Sequence, residues 1–340
     1  MKRGWDERGL PRRNKLIIAL VIVYLAILGG IYIVGSILEA EPEQANIYGD
    51  LSTRFAADVT LEYRGKSYPY YDNQYTNILV IGVDQAQLSA NTSQRNGGQA
   101  DFLLLLAISR HDRTITPIHI DRDTISAVPV YGAFGDRAGS REMQICLSHS
   151  FGESQEECCA NTVEAVQNLF CGIPIDYYLA MDMDGIAELN DALGGVTVTL
   201  TEDFSHLDPE MTAGKTLTLR GRQAEYYVRG RYGVGDYSNR QRMTHQQDFI
   251  REALPELYSL IESDPNYVSD LYDQLLPHLC TDLKQSWLMN NSYAIENYEV
   301  QEILTLSGTH KVGSTGFMEF HPNENALKEM LIDVYFNDPA

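Results

Sequence analysis

Asn77-Ile-Leu-Val-Ile-Gly-Val-Asp84, Ala100-Asp-Phe-Leu-Leu-Leu-Leu-Ala-Ile108 and Ile115-Thr-Pro-Ile-His-Ile-Asp-Arg-Asp-Thr124 are three apolar runs, each with charge at one end. Short runs of Ile, Leu and Val bounded by polar residues read as buried strands. The first ends at Asp84, the second begins just after Asp101, and the third ends just before Arg122 and Asp123. Ser109-Arg-His-Asp-Arg113 is a short polar turn, so the second and third strands should be antiparallel. The start of one and the end of the next then share an edge. Asp84, Asp101, Arg122 and Asp123 are therefore expected at one edge of a single sheet. Acids mixed with arginine suit a polyphosphate ester, and that points to phosphoryl transfer.

Upstream, Leu16 to Leu38 carries no charged residue over 23 positions. At about 1.5 Å per helical residue that is enough to cross a hydrocarbon core of roughly 30 Å. The segment reads as one transmembrane helix, because it is longer than a signal-peptide core and lacks a small-x-small cleavage site. Lys2, Arg3, Arg8, Arg12, Arg13 and Lys15 precede it, and Glu39, Glu41 and Glu43 follow. The positive-inside rule then places the N-terminus in the cytoplasm and the rest of the chain outside.

Of 26 basic and 47 acidic residues, six and two precede position 39, leaving 20 against 45 beyond the membrane. Such a balance excludes nonspecific nucleic-acid binding. It also means that an anionic substrate must be held by a local arginine cluster or a divalent cation. Cys146, Cys158, Cys159, Cys171 and Cys280 lie in the external part, with no Cys-x-x-Cys or paired His/Cys zinc spacing. A disulfide from Cys158 or Cys159 to Cys146 or Cys171 is weighed against simple burial of small apolar side chains, with Cys280 the odd one out.

The chain divides into a cytoplasmic tail (1–15), the membrane helix (16–38), a linker or stalk (39–76) with a short helix around Asp50 to Glu62, and one α/β domain (77–337). Within the domain a polar loop is expected from Tyr131 to Arg141. A helix follows over Cys158 to Phe170, and strands over Tyr177 to Asp182 and Val196 to Leu200. Further helices are expected from an Asp184 cap to Leu193, from Arg220 to Tyr227, from Asn239 to Ile261, and from Glu324 to Phe336.

A second charged constellation is Tyr227-Val-Arg-Gly-Arg231 followed by Ser238-Asn-Arg-Gln-Arg-Met-Thr-His-Gln-Gln247. Arg242 and Gln246, four apart, share a helix face. Guanidinium groups converging at a loop between helices suit phosphate, since Arg offers a fixed fork of donors and keeps its charge. An ion-paired, solvated surface fits the spacing equally well.

The ordered motifs resemble the LytR-CpsA-Psr family of cell-wall proteins. They are Asn77 to Asp84, Gln99-Ala-Asp101, Asp121-Arg-Asp-Thr124, Gln144 to Gly152, Gly172-Ile-Pro-Ile-Asp-Tyr-Tyr178, Leu193-Gly-Gly-Val196, Gly221 to Arg231 and Pro322 to Leu331. The resemblance covers about 77–337. It implies a three-layer α/β/α sandwich with a central mixed, partly antiparallel sheet behind one transmembrane helix. It also implies a membrane-anchored phosphotransferase moving a glycopolymer from a polyprenyl-pyrophosphate carrier onto peptidoglycan. The alternatives are a pyrophosphatase on the same lipid-linked glycan, or a catalytically weak lipid-pyrophosphate-binding module. Carried over residue by residue, Asp84 and Asp101 would hold Mg²⁺, or Mn²⁺ in its place. Arg122, Arg229, Arg231 and Arg242, with Gln246 and Arg95, would bind the pyrophosphate. Asp84, Arg122, Arg229 and Arg231 would carry the chemistry, with Asp84 or Asp123 taking the acceptor's proton.

The sequence departs from that pattern at three positions. Gln99 stands where the family has Arg, Gln144 where Lys is common, and His245 where a second helical Arg is frequent. Arg240 would substitute for Arg242 if the register were shifted by two. The apolar run Leu103 to Ile108 and the helix after Asn161 are candidates to line a slot for the lipid tail, with ordinary core as the plainer reading.

Overall fold

The computed structural model describes residues 59–71, 74–88, 97–132, 135–264, 267–283 and 298–336. The expected cytoplasmic tail, the membrane helix at 16–38 and Arg95 lie outside the described residues. Among the described residues no helix is long and apolar enough to cross a membrane.

The strands are β1 (Thr60–Tyr63), β2 (Lys66–Pro69), β3 (Tyr75–Val83), β4 (Ala100–Ser109), β5 (Thr114–Ile120), β6 (Ile125–Tyr131), β7 (Arg137–Gln144), β8 (Tyr177–Met181), β9 (Thr197–Thr199), β10 (Thr216–Thr218), β11 (Leu279–Thr281), β12 (Glu299–Val300), β13 (Leu304–Thr305), β14 (Gly308–Val312) and β15 (Met318–Pro322). The helices are α1 (Gln155–Leu169), α2 (Met183–Ala192), α3 (Arg222–Arg229), α4 (Asn239–Ser263), α5 (Tyr267–Leu275) and α6 (Glu324–Tyr335).

A central sheet runs β11-β8-β3-β4-β5-β12, with β13 also on β5. It is mixed: β3 pairs parallel with β8 and antiparallel with β4, and β5 is antiparallel to β4 as its polar turn requires. Period-2 alternation sends Ile78, Leu104 and Leu106 to one face, and Leu79, Leu103 and Leu105 to the other. The first face packs against α2, α3, α4 and α5, the second against α1 and α6. Both faces of these strands are covered, and so they read as continuous apolar runs rather than alternating ones.

Several expectations are corrected. The linker's last part is the β1–β2 hairpin, so residues 60–62 are strand and not helix, and β3 already begins at Tyr75. The polar stretch after Tyr131 is mostly strand: β7 pairs with β6, and its outward residues are too polar and exposed to betray it. The cap of α2 is Asp182, whose Oδ1 accepts from the Gly185 amide at 2.9 Å, rather than Asp184. The strand at 197–199 forms a separate hairpin with β10 and does not join the central sheet. None of the five cysteines forms a disulfide: Cys146, Cys158, Cys159 and Cys280 are buried, with Cys146 Sγ against the Arg122 guanidinium, and Cys171 is exposed.

Candidate functional site

The pairing of β3 with β4 carries the first two acids to adjacent strand ends. The Asp84 amide donates to the Gln99 carbonyl at 2.8 Å, and Asp101 follows on β4. Because β5 returns antiparallel with Ile120 opposite Leu103, the Asp121-Arg122-Asp123 turn lands beside Asp101. Asp101 then binds two guanidinium groups: Oδ1 accepts from Arg122, and Oδ2 from Arg242 Nη1 at 2.8 Å. Arg122 also donates to Gln99 Oε1 and, through Nη2, to Cys146 Sγ at 3.3 Å.

The helical arginines arrive from the other side of the same edge. Arg229, at the last turn of α3, places Nη2 2.7 Å from Asp84 Oδ1 and Nη1 2.8 Å from the buried Glu225. Gly230 then turns the chain; a Cβ there would sit 2.6 Å from Phe204 and 2.7 Å from the Tyr226 carbonyl, so only glycine fits between the two arginines. Arg231 is braced by its Nε on the Tyr237 carbonyl at 2.9 Å and lies within electrostatic reach of Asp123 and Arg242. Ser238 caps α4, and the first turn aims Arg242 inward, 5 % exposed, while Arg240 faces solvent. The register therefore selects Arg242. One turn on, Gln246 donates to the Val228 carbonyl at 3.2 Å.

Burial shapes the electrostatics. The Asp123 carboxyl is pushed above the usual carboxylate range by burial and by Asp121, against the pull of Arg122, Arg231 and Arg242. Burial lowers the pKa of Arg242; for Arg122 it acts the same way, but Cys146, Asp101 and Asp123 outweigh it and the pKa rises. Both guanidiniums keep their charge at neutral pH. Four buried polar atoms in this one region, Arg122 Nε, Asp123 Oδ2, Arg242 Nε and Gln246 Oε1, have no hydrogen-bond partner among the described residues. Orphans of this kind cost stability and mark a place where a polar ligand can be received.

Some participants were not expected. Asp121 is a buried hub: Oδ1 accepts from Asn239 Nδ2 at 2.7 Å and the Asp123 amide at 2.8 Å, and Oδ2 meets His310 Nε2 at 2.8 Å. It ties the end of β5 to α4 and to the β14–β15 hairpin. Gln144, in the Lys position, still reaches the site and donates to Asp123 Oδ1 at 3.1 Å. His245 does not join the cluster. It is held by Glu202 Oε2 at 2.6 Å, between the rings of Phe204 and Tyr227.

An apolar groove runs from the cluster between the sheet and the α2 and α4 helices. Leu104, Leu106, Met181, Ile186, Phe249 and Leu254 line it, and Asp101, Arg229 and Gln246 belong to the same lining. The β4 run thus supplies the groove, whereas the helix after Asn161 lies on the opposite face of the sheet.

Among the described residues no set of three or more His, Cys, Asp or Glu side chains is placed to hold a metal. Asp84 and Asp101 offer at most two hard carboxylates, with Asp84 38 % exposed at the rim. That donor set fits Mg²⁺ bound through one or two carboxylates, with phosphate oxygens and water completing its shell.

The LytR_cpsA_psr family model matches residues 43–333. Among curated proteins, the polyisoprenyl-teichoic acid–peptidoglycan teichoic acid transferase TagU of Enterococcus faecalis is 28% identical over 244 residues, covering 71% of each chain. TagU of Halalkalibacterium halodurans is 27% identical over 233 residues, covering 67% of this chain and 68% of its own. The crystal structure of protein gbs0355 from Streptococcus agalactiae shares the mixed α/β fold with a TM-score of 0.61 at 20% identity, covering 77% of this chain and 88% of that one.

Proposed function

This chain belongs to the LytR_cpsA_psr family, and from that premise we propose that it transfers a glycopolymer from a polyprenyl-pyrophosphate carrier to peptidoglycan at the outer face of the membrane. In this reading the segment 16–38 is the anchor, with the N-terminus cytoplasmic. The observation that carries the proposal is the meeting of Arg122, Arg229 and Arg242 with Asp84 and Asp101 where an apolar groove ends, with Arg231 within electrostatic reach of Asp123 and Arg242. A charged diphosphate on a long hydrocarbon tail needs that combination.

The polyprenyl tail lies along Leu104, Leu106 and Phe249, and the diphosphate meets the arginine forks and Gln246. A hydroxyl of the wall polymer attacks the glycan-bearing phosphorus. A new P–O bond forms, the bridging P–O bond breaks, and polyprenyl phosphate leaves. The hydroxyl proton passes to Asp84 or Asp123, each a carboxylate with one oxygen outside the ion pairs of the site. Arg122, Arg229 and Arg231 stabilise charge building on the equatorial and leaving oxygens. Mg²⁺ held by Asp84 and Asp101 would supply further neutralisation of the phosphate oxygens.

The test uses the full chain in detergent with a polyprenyl-pyrophosphate-linked saccharide, Mg²⁺ and a peptidoglycan fragment, reading polyprenyl monophosphate and labelled wall product. Monophosphate with glycan on the fragment is expected. Monophosphate with glycan released to water marks a pyrophosphatase, and no monophosphate from any lipid-linked saccharide overturns the catalytic reading.

A further inference from the structure

A second cleft opens beside the first, on the outer side of α3. It is lined by Asp208, Glu210, Thr218, Arg220, Arg222 and Tyr226 among others. Its character is opposite to that of the groove: here charged and hydroxyl-bearing groups face each other across a polar hollow. Arg222, Tyr226 and Arg229 stand at positions i, i+4 and i+7 of α3, one stripe along the helix. At about 1.5 Å rise per residue the stripe spans about 10 Å. One end lies in the cleft and the other at the diphosphate cluster.

Glu225 joins the two ends. Its Oε2 receives Arg222 Nε at 3.2 Å and its Oε1 receives Arg229 Nη1 at 2.8 Å, with the carboxylate buried. This anchors Arg222 by its inner edge while the side chain remains 71 % exposed. The Arg222 guanidinium also lies 5.9 Å from the centre of the Tyr226 ring. Arg220 has no ion pair with another described residue. In the opposite wall, Asp208 is fixed by the Glu210 amide at 2.9 Å and by Gln223 Nε2 at 3.0 Å.

In a chain whose net charge is −21, two adjacent arginines with open outer edges are a local exception. They make this cleft a place where an anion can be kept against the overall field. Arginine forks match carboxylate and phosphate oxygens. An aromatic ring offers its face to the C–H side of a sugar, and Asp208, Glu210 and Thr218 provide partners for hydroxyls.

We propose that this cleft is a saccharide subsite that binds a sugar ring bearing a carboxylate or phosphate, about two sugar lengths from the reacting diphosphate. The proposal rests on the transferase reading, since α3 then measures the distance from the bond that is exchanged to a sugar further along a chain. The same chemistry could be presented by the transferred polymer or by the accepting wall strand.

Titration calorimetry on the full chain in detergent tests it with three probes: N-acetylglucosaminyl-N-acetylmuramic acid, a disaccharide carrying glycerol phosphate, and neutral chitobiose. At least one acidic probe is expected to bind about tenfold or more tightly than chitobiose. The Arg220→Gln/Arg222→Gln variant should lose that preference while keeping the wild-type melting temperature, and Tyr226→Leu should weaken all sugar binding. Binding of the muramic-acid probe assigns the cleft to the acceptor strand, and binding of the glycerol-phosphate probe assigns it to the donor. Equal binding of acidic and neutral probes, or a preference unchanged in the double variant, overturns the proposal. Because this readout is binding, its failure beside intact turnover removes only the cleft. Intact binding without turnover removes only the transferase reading.

Discussion

Arg242 Nη1 lies 2.8 Å from Asp101 Oδ2, with the two side chains 5 % and 15 % exposed. Asp101 also receives Arg122, so one carboxylate compensates two largely buried guanidiniums. Removing it leaves both charges facing each other in a poorly solvated place. Asp101→Ala is therefore expected to lower stability by about 3–5 kcal/mol, the scale for breaking a buried ion pair from one side. Asp101→Asn, which keeps the shape but not the charge, should lose about as much activity and less packing. Chemical denaturation checks the first expectation and monophosphate release the second.

Arg229 differs because it is 40 % exposed and pairs with an exposed Asp84. That exposed pair contributes little to stability, but Arg229 Nη1 also meets the buried Glu225 at 2.8 Å, so Arg229→Ala, which leaves that carboxylate to Arg222 alone, should cost about 1–3 kcal/mol and remain folded. In the proposed reaction its value lies in the charge it offers the diphosphate. Turnover should fall about 10²–10³-fold, as when one preorganised donor is lost from a transition state. Arg229→Lys should recover only part of it, since an ammonium cannot span two oxygens as a fork does. Steady-state rates on folded variants decide this.

The proposed magnesium dependence would have its own signature at Asp84. With two carboxylates at most from the protein, the ion would be held well only when substrate phosphate completes its shell. Chelation is expected to abolish turnover yet leave the melting temperature of the substrate-free chain unchanged. Asp84→Asn should raise the Mg²⁺ concentration needed for half-maximal rate by about tenfold or more. A chelator-resistant rate would remove the metal from the scheme.

The parts of this site that could be read from the sequence are those set by local periodicity. The three apolar runs fixed β3, β4 and β5 and the edge they share, because an apolar strand ending in Asp can turn in few places. The i, i+4 spacing of Arg242 and Gln246 gave their common face. Asp121 escaped notice because its partners Asn239 and His310 are 118 and 189 residues away, and nothing local marks a contact made only by tertiary folding. The β6–β7 hairpin was hidden for another reason. Arg137 to Glu142 are solvent-facing on both sides, so they lack the alternation by which strands are recognised. His245 stands where the family resemblance would have a second helical Arg, yet three residues beyond Arg242 it already faces Glu202 and two aromatic rings.

The groove yields a prediction about chain length. Ala253 is 3 % exposed and lines the groove beside Phe249 and Leu254. Ala253→Phe should fill the space and cost about 1–3 kcal/mol of stability through overpacking. Each methylene of substrate denied burial forfeits roughly 0.8 kcal/mol. KM for a long-chain polyprenyl donor should therefore rise about tenfold or more, while a geranyl donor, too short to reach the added ring, should keep its wild-type KM. An equal change for both donors would place the tail elsewhere.

Two buried histidines set the acid limit of the fold. His149 is kept neutral by burial, which pushes its pKa down to about 4 although the Gly97 and Gly98 carbonyls work against it; its Nδ1 lies 2.8 Å from the Gly97 carbonyl. His119, tilted against Phe102 at 5.0 Å and meeting Gln247 Nε2 at 3.1 Å, is likewise pushed to about 4, by burial first and Arg242 second, with Asp121 opposing. In the unfolded chain each titrates near 6.5. Between about pH 6.5 and 4 the unfolded chain therefore binds more protons than the native one, and stability falls as pH falls through that window. The stabilisation is complete above pH 6.5 and lost at about pH 4, on the order of a few kcal/mol per histidine. Asp123, whose raised pKa gives a slope of the opposite sign, works against it. Urea midpoints are expected to drop between pH 7.5 and pH 5, and the drop should be smaller in His149→Gln, which has no proton to take up. A midpoint that stays level over this range would mean that the two imidazoles are not held neutral.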